Sequence, residues 1–125
     1  MRWVAFLTGK NSPATRPILS RATLEEMWRP VVAMNASSDR PESMGLSFFL
    51  DPRPVSSGPI TFIGHTGSQA GFRAFFAFNP LTGTAIIAAF NTSHESGHND
   101  AETNAARRSQ DGFNALREQS FLLLH

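Results

Sequence analysis

Apolar positions change their spacing along this chain, and each change marks a new element. Trp3, Val4, Phe6 and Leu7 have the spacing of a short helix that Gly9 ends, and Asn11-Ser12-Pro13 with Arg16-Pro17 reads as an extended loop. Ser20 has the chemistry of an N-cap. Behind it, Leu24, Met27, Trp28 and Val31 recur at helical intervals with Glu25 and Glu26 near the positive end, which predicts a second helix from Arg21 until Pro30 disrupts it. A polar, proline-punctuated link from Ala36 to Ser43 follows. The pattern then shifts to strands: Met44 to Leu50, closed by Asp51-Pro52, and three more at Ile60 to His65, Phe72 to Asn79 and Thr84 to Asn91. Asn79-Pro80-Leu81-Thr82-Gly83 is short enough to make the last pair an antiparallel hairpin.

In Phe72 to Phe78, alternation puts Ala74, Phe76 and Phe78 on one face and Arg73, Phe75 and Ala77 on the other. Both faces are partly apolar, so the sheet should be covered on both sides by helices. Thr92 to Asp100 is polar and reads as a loop. After it, Ala105, Phe113, Leu116 and Leu123 mark one side of a C-terminal helix, with Arg107, Arg108, Arg117 and Glu118 around the other. The expected fold class is α+β: an antiparallel sheet of about four strands flanked by the second and C-terminal helices.

Composition narrows the function classes. A chain of 125 residues with 41% hydrophobic and 17% charged residues holds one globular domain or part of one. A formal charge of +1 gives no field that would draw nucleic acid or anionic membrane. No apolar run is long enough to span a membrane, and the amino terminus lacks the pattern of a signal peptide. With no Cys, disulfides, thiolate metal sites and cysteine nucleophiles are all excluded.

The most informative stretch is Gly64-His65-Thr66-Gly67-Ser68-Gln69-Ala70-Gly71-Phe72, followed by a strand, the Asn79 to Gly83 turn and a second apolar strand. Upstream lie Ile18-Leu19-Ser20 to Pro30 and Met44-Gly45-Leu46-Ser47-Phe48. In order and content this succession resembles the carboxyl-terminal part of the serine β-lactamase, D-Ala-D-Ala carboxypeptidase and β-lactamase-like esterase superfamily. The resemblance implies a partial β-lactamase/transpeptidase-like domain and a small-molecule amide or ester substrate, with no metal or organic cofactor. It also implies roles for the Lys/His-Thr/Ser-Gly triplet, whose lysine form accompanies a Ser-x-x-Lys nucleophile motif. His65 would be the basic member, able to donate a hydrogen bond to an anionic group on the substrate. Thr66 would offer a hydroxyl to a substrate carboxylate or carbonyl, and Gly67 would let the strand approach the reacting carbon. The backbone N–H of Ser68 would be the catalytic oxyanion donor.

None of the thirteen serines is followed three residues later by the single lysine, Lys10, and there is no Tyr for a Tyr-x-Asn motif. The chain is therefore expected to be the tail part of such a hydrolase, inactive without a missing N-terminal half, and with Thr84 to Asn91 as an unpaired sheet edge. A non-catalytic binding module of the same fold is the alternative. A second motif, His94-Glu95-Ser96-Gly97-His98 with Glu118 downstream, matches the zinc-peptidase pattern. Its Gly97 and its Asn and Ser flanks fit a solvated loop better than a buried zinc helix.

Overall fold

The computed structural model describes residues 2–10, 18–56, 58–91 and 99–124. Helices α1 (Arg2–Leu7) and α2 (Arg21–Met27) precede six strands, β1 (Val32–Ala33), β2 (Ser43–Met44), β3 (Phe49–Arg53), β4 (Ile60–Gln69), β5 (Phe72–Phe78) and β6 (Ala85–Phe90), and α3 (Asp100–Phe121) closes the chain. The strands form one antiparallel sheet in sequence order, β1 to β6. The fold is α+β as expected. Six strands replace the expected four because two short pairings, Val32↔Met44 and Ala33↔Ser43, add a narrow outer margin.

Ser20 caps α2 through its side chain, which accepts the N–H of Thr23 at 3.1 Å. The helix ends at Met27, short of Pro30, because the chain after β2 docks against its last turn. Leu46 donates its N–H to Met27 O at 2.7 Å, and a Cβ on Gly45 would lie 2.5 Å from that same oxygen. This contact breaks the expected strand Met44 to Leu50 into the end of β2, a turn with Ser47 at φ 64°, and the start of β3. Pro52 lies inside β3, beyond the last β2 partner (Ser43↔Leu50), where its missing N–H costs no ladder bond.

Helices cover both faces of the sheet, as the two-faced pattern of β5 requires. On one face Leu7 of α1 and Leu24 of α2, with Trp28 just past its end, pack on Phe48, Leu50, Ile63 and Phe78. On the other, Phe121 of α3 and Leu124 just past its end pack on Ile60, Phe62 and Ala77. Phe62 and Phe78 lose essentially all contact with solvent, and truncating such a ring costs about 3–5 kcal/mol. Asn79 ties the end of α3 to the β5–β6 turn: its Nδ2 donates to Leu124 O at 2.8 Å and its Oδ1 accepts the N–H of Leu81 at 2.9 Å.

The buried side of α3 differs from the expected one. Phe113, Arg117, Ser120 and Phe121 face the sheet, whereas Leu116 and Leu123 are exposed. Arg117 and Glu118 belong to an ionic cluster rather than to a solvated side. Arg53, on β3, hydrogen-bonds Asp51 Oδ2 through Nε at 3.0 Å and Nη2 at 2.7 Å, and Glu118 Oε1 through Nη2 at 2.8 Å. Its guanidinium lies 3.6 Å over the ring of Phe121. Arg40 and Arg117 approach Asp51 at 3.4 and 3.6 Å.

Candidate active-site strand

β4 outruns β3. The last β3–β4 pair is Phe49↔Gly64, so among the described residues the strand from His65 to Gln69 has a neighbour on one side alone, β5. The phase of the ladder decides which backbone groups face the open side. Asn79 donates its N–H to Thr84 O at 2.9 Å, which turns the odd-numbered residues of β5 toward β6 and the even-numbered ones toward β4. Phe72, Ala74 and Phe76 are the partners of Gln69, Gly67 and His65. The backbone groups of those three β4 residues are therefore taken up by β5, and those of Thr66 and Ser68 point to the side where β3 has ended. A two-residue turn, Ala70 at φ 46° and Gly71 at φ 85°, sets this register, since positive φ at both positions matches the twist of the hairpin.

Side chains alternate across the same strand. Thr66, Gly67 and Ser68 line an open cleft of about 260 Å³ together with Arg73, Gln110 and Phe113. Ser68 and Arg73 are directly opposite one another on β4 and β5. His65 goes elsewhere: its ring stacks on Phe49 with centroids 4.7 Å apart and planes 12° from parallel. It lines a neighbouring space of about 10 Å³, no more than a water's room, which Thr66 also borders. The strand thus brings Thr66, Gly67 and Ser68 together and sets the imidazole of His65 one cavity away.

Two glycines of this strand differ in what holds them. A Cβ on Gly64 would sit 2.2 Å from Phe76 O, so the fold itself demands glycine there. A Cβ on Gly67 would meet nothing within 4 Å. Neither φ nor packing among the described residues explains Gly67.

Arg73 and Gln110 escape a sequence reading. Arg73 Nη1 donates to Gln110 Oε1 and its guanidinium lies 5.8 Å from the centre of the Phe113 ring. Alternation placed Arg73 on the face of Phe75, but nothing in the spacing of α3 singles out Gln110.

The His94-Glu95-x-x-His98 motif lies outside the described residues. Glu118, its downstream candidate ligand, is engaged by Arg53, and the described residues hold no group of three His, Asp or Glu side chains arranged for a metal. Among them, no helix is long and apolar enough to cross a membrane.

No curated protein matches the chain. The family model described as Beta-lactamase matches residues 1–110, a span that takes in α1, α2, all six strands and the first half of α3. With a match over most of the chain and an antiparallel sheet between helices to go with it, this chain belongs to the Beta-lactamase family.

Proposed function

We propose that the outer half of β4 forms one wall of a serine acyl-transfer pocket, in which a serine supplied by a segment outside these 125 residues attacks an amide or ester. The attack turns the substrate carbonyl into a tetrahedral oxyanion, expulsion of the amine or alcohol leaves an acyl-serine, and water releases the acid. The Ser68 N–H donates to the oxyanion, the Thr66 hydroxyl binds a neighbouring carbonyl or carboxylate, and His65 supplies the basic group of the triplet. An oxyanion donor aimed before the reaction begins contributes about 3–4 kcal/mol to the transition state. The reading is carried by the open edge at Thr66 to Ser68, together with a glycine between them whose Cβ position is empty. A carboxypeptidase- or esterase-like substrate fits a triplet that begins with His in place of Lys.

The test joins the chain to a segment bearing Ser-x-x-Lys and follows acyl-serine formation with a p-nitrophenyl ester and a D-Ala-D-Ala peptide by intact mass. A covalent adduct on the serine is expected, together with a loss of at least tenfold in its rate of formation for Gly67→Val, whose added methyls project into the approach path. Saturable binding of both substrates without any adduct would support the non-catalytic binding module instead.

A further inference from the structure

Beneath the amino-terminal half of α3 lies a second cavity, of about 420 Å³, lined by Arg73, Phe90, Arg108, Gly112 and Phe113 among others. It adjoins the β4 cleft through Arg73 and Phe113 but shares none of Thr66, Gly67 or Ser68. Its size falls within the range of small-molecule sites.

Three observations define what it would hold. Among the described residues, the cavity is lined by two guanidinium groups and no carboxylate. Among the described residues neither Arg73 nor Arg108 has an acidic partner within 4.0 Å, and Arg73 Nε is buried without a hydrogen-bond partner. Arg40, Arg53 and Arg117, which border the core as Arg73 does, all have carboxylates, whereas Arg108 is exposed at the mouth of the cavity. Next, the rings of Phe75, Phe90 and Phe113 meet edge to face, with Phe113 5.6 Å from Phe75 and 5.9 Å from Phe90. This gives the cavity an aromatic wall beside its cationic one. Finally, Gly112 stands inside a helix, where glycine costs about 1 kcal/mol relative to alanine. A Cβ there would meet nothing within 4 Å, so packing does not require the glycine and its absence of a side chain keeps the cavity open.

We infer that this cavity binds a small carboxylate with an aromatic or branched aliphatic body, the carboxylate held by Arg108 and Arg73 and the body laid against Phe90 and Phe113. Arginine suits this task because its planar fork presents paired donors to a carboxylate and its face stacks on aromatic groups. The site is separate from the proposed acyl-transfer wall and needs no nucleophile.

Titration of the full chain with 2-naphthoate, followed by ligand fluorescence and by calorimetry, tests this directly. Saturable one-to-one binding is expected, weakened at least tenfold for the neutral 2-naphthamide and for Arg108→Gln. Gly112→Leu is expected to abolish binding while raising the thermal midpoint, because leucine fills the cavity and favours the helix; this separates loss of the site from loss of the fold. Gly67→Val should leave binding unchanged. No saturation at millimolar ligand, equal affinity for acid and amide, or undiminished binding in Gly112→Leu would overturn the assignment. Loss of binding in Gly67→Val would instead locate the ligand at the β4 edge and overturn it equally.

Discussion

At Glu118, hydrogen bonds from Arg53 hold the carboxyl below the ordinary carboxylate range; burial opposes them, and the charges of Arg53, Arg40 and Arg117 assist. Arg53 shifts the opposite way. Burial disfavours its charge, but hydrogen bonds to Glu118 and Asp51 and the charges of both acids more than offset this. A carboxylate whose pKa is lower in the folded than in the unfolded state stabilises the fold above the unfolded value, and that stabilisation disappears as the pH falls through the folded one. The unfolding midpoint should therefore decline as pH drops below about 4.3, the ordinary value for Glu. The effect is modest, because nearly half of the Glu118 side chain (46%) is exposed and solvent screens the pair. Glu118→Gln should flatten the decline in urea melts taken from pH 6 to pH 3, and an identical slope in the variant would assign the acid sensitivity elsewhere.

At the scale of elements, the β4–β5 hairpin carries both the register of the site and a strained residue. Ala70 takes φ 46°, a conformation that costs an L-residue about 1–2 kcal/mol, in a position where Asn is better tolerated. Ala70→Asn should stabilise the chain by about 0.5–1 kcal/mol without altering the pairing, read as a higher urea midpoint with an unchanged m-value. A lower midpoint would show that the turn holds Ala70 for another reason. The β5 arm of this hairpin was legible in the alternation from Phe72 to Phe78, but the sequence reading ends the preceding strand at His65, whereas β4 continues to Gln69 and turns at Ala70 and Gly71. The stretch ahead of the hairpin was less legible. Read by composition, Met44 to Leu50 is one apolar strand; what divides it is the carbonyl of Met27, seventeen residues upstream of Met44, pressing on Gly45. The inner side of α3 was misjudged for a related reason. Leu116 and Leu123 satisfy a helical stripe, but Arg117 displaces them because Asp51 is buried beneath it. Of the candidate site, Thr66, Gly67 and Ser68 are named by their motif alone, while the departure of His65 to Phe49 depends on β3 ending at that level.

On the scale of the whole molecule, the sheet has a second open margin among the described residues. β6 ends the strand order, and the ladder phase turns the backbone groups of Ala85, Ile87 and Ala89 away from β5. Its sequence, Ala85-Ile86-Ile87-Ala88-Ala89-Phe90, has no charge, no proline and no bulge to discourage another strand. The isolated 125-residue chain should accordingly self-associate, and Ile87→Lys, which places a charge on that margin, should shift sedimentation profiles toward monomer. A monodisperse, cooperatively unfolding monomer at high concentration before any substitution would mean that this edge is protected.

The proposed function rests on the open margin of β4, and one substitution addresses it with little collateral damage. Ser68→Pro deletes the N–H assigned to the oxyanion, and since that N–H faces away from β5 the change removes no β4–β5 ladder bond. Measured in the protein joined to its Ser-x-x-Lys segment, formation of the acyl-serine should slow by about 10² to 10³-fold while the thermal midpoint stays near that of the parent. Acylation at the parental rate in a folded Ser68→Pro protein would contradict the assignment of this strand edge to catalysis.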